Sequence, residues 1–494
     1  MTTFARDSSE ICPTLSRRDF FDRVAGGTYG AALLYLLGRD LGGSDLFAAE
    51  TTPRAALPSS RAPHFKPRAN AVIHLVMQGG PSQVDLFDPK PELQKRRGQP
   101  LSREALAKTD LLPTQMGGLF PSPFSFARHG RFGLWVSELL PHLARQVDHL
   151  AVIRSMFTTH PNHERALYKM QSGRTQSGFP CLGSWVVYGL GSENQNLPAY
   201  VVLADPVARL PTNGVQNWQA GFLPPVHQGT RIRSTGSPLL NLRPAVQEPP
   251  DIIRMERDLL ARLDGLHRRE RPGELWLDAR IASYELAARM QLEAHEALDL
   301  NREPQAVRTL YGVGEPKTDN FARRCLLARR LVERGVRFVQ LYTAGQLWDS
   351  HGNLAASLRT ACEQTDKPVA ALLHDLHQRG LLDSTLVLWG GEFGRLPNAE
   401  LPPEKNSNTA GRGHGPHGFT TWMAGGGVKG GVAHGNTDDF GFAAVENRVS
   451  VTDWHATILH LLGLHPERLF FNRNGFKERL TSTESPRVVK EVLA

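Results

Sequence analysis

An alternation constrains this chain most. Five short, uninterrupted apolar runs fall at residues 70–77, 149–154, 199–204, 336–343 and 384–389, with helical periodicity between them at 137–147, 162–171, 320–334 and 354–379. A strand buried on both faces reads as a near-continuous run of Val, Ile and Leu. By contrast, "NFARRCLLARRLVERG" repeats its apolar residues at helical spacing and stops at Gly335. The alternation predicts an α/β fold, a largely parallel β-sheet sandwiched by helices. Residues 250–300 read as a helix, or a helix pair broken near Pro272, and are expected to form a helical cap insertion. A hydrophobic content of 40% and a charged content of 21% suit a chain with a full core.

In an open parallel sheet, ligands bind beyond the carboxyl ends of the strands. Four of the loops in those places carry polar or ionisable groups beside Gly or Pro: "QGGPSQVDLFDPKP", "SMFTTHPNHERALYKMQSGR", "AGQLWDSHGN" and "GGEFGR". In "WDSHGN", Asp349 and His351 stand two apart and point the same way in extended backbone. They suit either one divalent ion or an Asp–His hydrogen bond that orders a turn. "GHGPHG" sets His414 and His417 among glycines, which let a backbone close around an ion; a solvated loop is the plainer alternative. Glu392 lies between two apolar runs, "TLVLW" and "FTTWM". Asp85 and Asp88 sit in the turn beyond the first run, as metal ligands or as turn caps. The "TTHPNHERAL" stretch places Thr158 and Thr159 just before a helix and His163 at its start, where free N–H groups favour an anion.

The N-terminus reads "LSRRDFFDRVAGGTYGAALLYLLGRD". Ser16-Arg17-Arg18-Asp19-Phe20-Phe21 ahead of a weakly apolar, Gly-rich stretch resembles a twin-arginine export signal. The expected organisation is a signal over 1–49, a Pro-rich leader over 50–68 and one domain over 69–494, with a periplasmic or extracellular destination. The apolar stretch is too short for an integral membrane span. The formal net charge is +8 and the pI about 9.4, but the basic residues form no run, so no nucleic-acid partner is expected. Cys181, Cys325 and Cys362 show no C-x-x-C spacing, so no Cys-based zinc site can be read from them.

The ordered set G-G-P-S-Q-x-D-x-F-D-P-K-P, W-D-x-H-G-N, W-G-G-E-F-G-R, the His-Gly loop and A-G-G-G-x-K-G-G resembles the domain-of-unknown-function family numbered 1501, over about residues 64 to 494. That resemblance implies the alkaline phosphatase and sulfatase fold, and an exported, metal-dependent hydrolase of phosphate or sulfate esters. It implies a small or polymeric anionic ester as substrate and a divalent ion, zinc or calcium, at about one per chain. Asp349, His351, His414 and His417 would bind metal, and Glu392 would be a ligand or a base. Thr159 and His163 would position the nucleophile or act as general acid. The sequence departs from the superfamily pattern at Gln78, where a metal-binding Asp is usual, and at Phe393, where a His is usual. Asp85 or Asp88 could restore the lost charge. These departures keep a second class open, a non-catalytic glycan- or partner-binding protein.

Overall fold

The computed structural model describes residues 60–109, 115–205, 210–235, 249–401 and 409–494. The expected signal, and the leader as far as residue 59, lie outside them. The main sheet has nine strands: β1 (Ala71–Val76), β2 (Leu150–Phe157), β3 (Tyr200–Leu203), β4 (Thr230–Arg231), β5 (Phe338–Tyr342), β6 (Thr385–Gly390), β7 (Phe419–Ala424), β8 (Val432–His434) and β9 (Val449–Ser450). They lie in the order β8-β2-β7-β6-β1-β5-β3-β4, with β9 beside β2. Every pairing is parallel except those of β7, which runs against both β2 and β6.

Side chains alternate across β1, so each face of the sheet holds its own core. Ile73 and Leu75 join one core with α5 (Asp319–Glu333) and α6 (Leu354–Gln378). Val72 and Val76 join the other with α1 (His163–Ser172), α2 (Leu182–Leu190) and α7 (Val451–Leu461). The fold is thus an α/β sandwich with a mostly parallel sheet, as the alternation predicts. Residues 250–300 form a helix pair, α3 (Pro250–Glu270) and α4 (Leu275–Leu298). Leu286, Met290, Ala297 and Leu298 pack α4 into the first core. No helix among the described residues is long and apolar enough to cross a membrane.

One expected helix is absent. Residues 137–147 end a strand, Leu134–Ser137, and then form a 3-10 turn at Leu143–His149. Pro141 interrupts the pattern, and the outward periodicity came from a strand followed by a turn.

The one reversed strand matters for function. The carboxyl ends of β1, β2, β5 and β6 share one edge, and because β7 is antiparallel its amino end lies there too. The loop that precedes β7, which contains His414 and His417, is thereby delivered to the same edge as the loops that follow the parallel strands.

Candidate metal centre

One glycine shapes the floor of this edge. Gly79, at φ +113, lies so close to the next strand's loop that a Cβ would stand 2.5 Å from the Asp349 nitrogen. Its own N–H donates to both carboxylate oxygens of Glu392, at 3.0 and 3.2 Å. No other residue tolerates both that backbone angle and that approach. The Trp348 N–H donates to the Gln78 carbonyl at 3.2 Å, which ties the "WDSHGN" loop to the end of β1.

Four residues converge here. His163 is the first residue of α1, whose N-cap is Asn162. Asp349 and His351 follow β5. His414 is set by a short antiparallel pairing in which Arg395 faces His414 and Gly394 faces Gly415. One ligand atom from each of His163, Asp349, His351 and His414 lies within 4.8 Å of every other. The Asp349 Oδ1 atom is 2.9 Å from His351 Nε2, 3.3 Å from His163 Nε2 and 3.6 Å from His414 Nε2. His351 and His414 bring their Nε2 atoms to 2.9 Å.

Behind two of these rings stand carboxylates. His163 Nδ1 lies 2.6 Å from Glu392 Oε1, and His351 Nδ1 lies 2.5 Å from Glu400 Oε2. Glu392 is fully buried and Glu400 nearly so. A carboxylate that accepts the Nδ1–H fixes the tautomer and turns the lone pair of Nε2 outward. Neutral rings would then aim lone pairs at an anionic Asp349 oxygen, which is repulsive. The arrangement requires a cation at the centre, either a proton or a metal ion.

The electrostatics agree. The contacts of His351 with Asp349 and then Glu400 push it up to about 9, against a smaller effect of burial. Burial lowers His163, but its contacts with Asp349 and Glu392 outweigh that and raise it. Burial alone would raise the Asp349 carboxyl; the surrounding His163, His351, His414 and Arg395 hold it well below the usual range instead. His163 Nε2, although close to Asp349, is buried and makes no hydrogen bond. A buried ring nitrogen that faces a carboxylate oxygen without a well-formed hydrogen bond fits a metal ligand.

Arg395 is the second cationic element. Its guanidinium is fully buried and donates to Asp349 Oδ1 at 2.5 Å, to the Gly80 carbonyl at 2.9 Å and to the Arg412 carbonyl at 3.0 Å. It also donates to the carbonyl of Gly79. This set locks Asp349 in place. Removing one partner of such a buried pair typically costs about 3–5 kcal/mol.

The remaining candidates go elsewhere. Asp85 accepts from Arg412 Nε at 2.7 Å and from Ser82 Oγ at 2.5 Å, and all three are buried. Asp88 accepts from Thr437 Oγ1 at 2.5 Å and pairs with Lys90 at 3.0 Å. His417 Nε2 lies 3.1 Å from the Lys108 carbonyl, and its ring packs on Phe442. These three are outside the cluster: Asp85 and Asp88 are neutralised by cations or hydroxyls of their own, and His417 is carried past the pairing that places His414. Glu392 touches the back of a ligand, not the centre. Thr159 is exposed between β2 and α1. Arg395 and Glu400 escaped the sequence reasoning. Arg395 ends the "GGEFGR" motif, a signal that was available; Glu400 sits in no motif. Phe393 packs its ring 4.8 Å from that of His163 and 4.7 Å from that of His414.

No curated protein matches this chain. Among solved structures it is similar to the PsFucS1 sulfatase from Pseudoalteromonas sp., at 13% identity and a TM-score of 0.34, over 80% of this chain and 68% of that one. It is similar to the alkaline phosphatase from the Antarctic bacterium TAB5, at 11% identity and 0.32, over 74% and 95%. It is also similar to the phosphonate monoester hydrolase SpPMH from Silicibacter pomeroyi, at 11% identity and 0.33, over 86% and 76%. These likenesses are distant. The family model described as "Protein of unknown function (DUF1501)" matches residues 69–493, and the chain belongs to that family.

Proposed function

We propose that this protein is an exported hydrolase of phosphate or sulfate esters that depends on one divalent ion. The observation that carries the reading is the convergence of three Nε2 atoms on one Asp349 oxygen, with buried carboxylates behind two of the rings. His163, Asp349, His351 and His414 would hold the ion. Three nitrogens and one carboxylate oxygen suit zinc, and they argue against calcium, which takes oxygen ligands. Such an ion supplies charge that polarises an anionic ester and lowers the pKa of water to about 7.

The chain's own groups have separate tasks in this reading. Glu392 and Glu400 keep protons at the Nδ1 atoms of His163 and His351, so that both Nε2 atoms stay available. Arg395 holds Asp349 in one rotamer. Thr159, exposed four residues ahead of His163, would help His163 position the nucleophile. The ester class rests on the resemblance to the alkaline phosphatase and sulfatase superfamily, and export rests on Arg17 and Arg18.

One observation favours a second reading, a binding protein without catalysis. The ring of Phe393 lines the cluster with hydrocarbon where a second metal position would need a ligand. One experiment separates the two. The mature protein is stripped with a chelator, reloaded with zinc and assayed on aryl phosphate and aryl sulfate esters beside Asp349→Ala. Turnover that returns with the ion and is missing in the variant supports the hydrolase. A protein that retains zinc but turns over neither ester class sinks it and leaves the binding reading.

A further inference from the structure

Helix α3 is unusual within this molecule. It runs for 21 residues, about 31 Å at the α-helical rise, yet none of its described side chains is buried. Met255, Leu260, Leu263 and Leu266 are 59%, 58%, 47% and 43% exposed, and Ile252 and Leu259 are half-buried. Two polar contacts tie it to α4. Arg257 donates to the Ala288 carbonyl at 3.2 Å, and Arg268 donates to Asp278 at 2.7 Å, both on α4.

At 100° per residue, Ile252, Met255, Leu259, Leu263 and Leu266 fall on one stripe. Arg257 and Arg268 fall on the opposite side. The apolar stripe therefore points away from α4, its neighbour in the pair.

The stripe is symmetric in sequence. Its spacings are three, four, four and three, so it reads the same from either end about Leu259. An antiparallel copy of the helix would set Ile252 against Leu266, Met255 against Leu263 and Leu259 against itself. The charges along one flank have the complementary symmetry. Asp251 and Asp258 lie toward the amino end, and Arg262 and Arg269 lie toward the carboxyl end on the same flank. In the antiparallel arrangement Asp251 meets Arg269 of the second copy, and Asp258, which also has a partner within its own chain, faces Arg262. Apolar positions that match themselves under reversal, with charges that change sign under it, describe a surface complementary to itself. That is the requirement of a two-fold interface.

We infer that α3 is a homodimerisation surface on which a second copy of this chain docks antiparallel through Ile252, Met255, Leu259, Leu263 and Leu266. A single helix pair of this length reaches only the lower end of specific interfaces, about 1,200 Å² in total. An interface this small suits a reversible dimer, and the dimer inferred is one that dissociates in the micromolar range.

Charge reversal tests both the partner and the orientation. Three forms of the mature protein are compared by sedimentation velocity at roughly 1 to 100 µM, a range that brackets such a constant. These are the parent, an acidic form (Arg262→Asp with Arg269→Asp) and a basic form (Asp251→Arg with Asp258→Arg). All four positions lie outside the metal cluster, and circular dichroism checks the fold. The parent is expected to shift from one to two chain masses across the range. Each variant alone is expected to dimerise more weakly than the parent, by at least about tenfold in the dissociation constant. An equimolar mixture is expected to recover the dimer. A parent that stays monomeric throughout overturns the proposal, as does a dimer indifferent to either reversal. A monomer that instead adsorbs to vesicles of anionic lipid assigns the stripe to a membrane surface and overturns it too.

Discussion

Two groups of histidines in this molecule meet opposite fates. At the sheet edge, His163 and His351 each face a carboxylate on one nitrogen and Asp349 on the other, and both are raised above their ordinary value. In the core on one face of the sheet, His74 of β1 and His455 of α7 are fully enclosed. His74 lies near Gln340 and the Trp454 ring, and His455 donates from Nε2 to the Met170 carbonyl at 2.8 Å. Among the described residues neither core ring hydrogen-bonds a carboxylate. Burial takes His74 down to about 3 and His455 down to about 4. Burial acts on both groups in the same direction, so the carboxylate partners decide the sign. Imidazoles with acidic partners gather a cation; imidazoles without them remain neutral packing elements.

The largest effect should come from removing the carboxylate shared by all three site rings. Asp349→Ala is expected to lose its metal on dialysis and to lose all turnover, while His417→Ala keeps both; metal analysis of the two variants decides this. Next come the carboxylates behind the rings. Glu392→Gln and Glu400→Gln are each expected to weaken metal affinity by about 10- to 100-fold with the fold intact, as measured by competition with a chelating dye. If neither changes affinity, the outer carboxylates do not orient the ligands and the contrast with the core histidines loses its cause.

Acidity separates the two groups in another way. In the metal-free protein His351 holds its proton up to about pH 9, and an incoming ion must displace it. Metal affinity should rise about tenfold per pH unit up to about 9 and flatten above it, as far as one proton is displaced. The core rings act on stability instead. The unfolded chain binds protons at these positions near 6.5, whereas the folded chain binds them only near 3 and 4. Between those values the unfolded state holds more protons, so stability is full above about 6.5 and falls as the pH drops. Denaturant titrations at pH 7 and pH 4.5 should differ by on the order of several kcal/mol, and His74→Leu should flatten part of that slope. An unchanged slope would mean that His74 is already solvated.

Much of the fold was legible because parallel strands buried on both faces leave uninterrupted apolar runs, as β1 and β6 do. The edge was legible for the same reason, since the loops after those runs had to share it. Asp349 and His351 stand two apart in one loop and identified themselves. His414 could not be separated from His417 by sequence, because the choice is made by the pairing of Arg395 with His414, a contact between distant segments. Asp85 and Asp88 were misplaced for a related reason: the turn does start at the right strand end, but Arg412 and Thr437 arrive from far along the chain to engage them. Glu400 carries no local signal at all. Its function is visible only once the loop holding His351 lies against it.

His163, Asp349, His351 and His414 form one candidate cationic centre, with Arg395 beside it. A second dication a few ångströms from a buried guanidinium would meet strong repulsion, and the nearby carboxylates of Glu392 and Glu400 already face the Nδ1 atoms of His163 and His351. Native mass spectrometry of the protein after dialysis against zinc counts the ions directly. One zinc per chain, absent from Asp349→Ala, is the expected result. Two per chain, or one that persists in Asp349→Ala, would contradict the account.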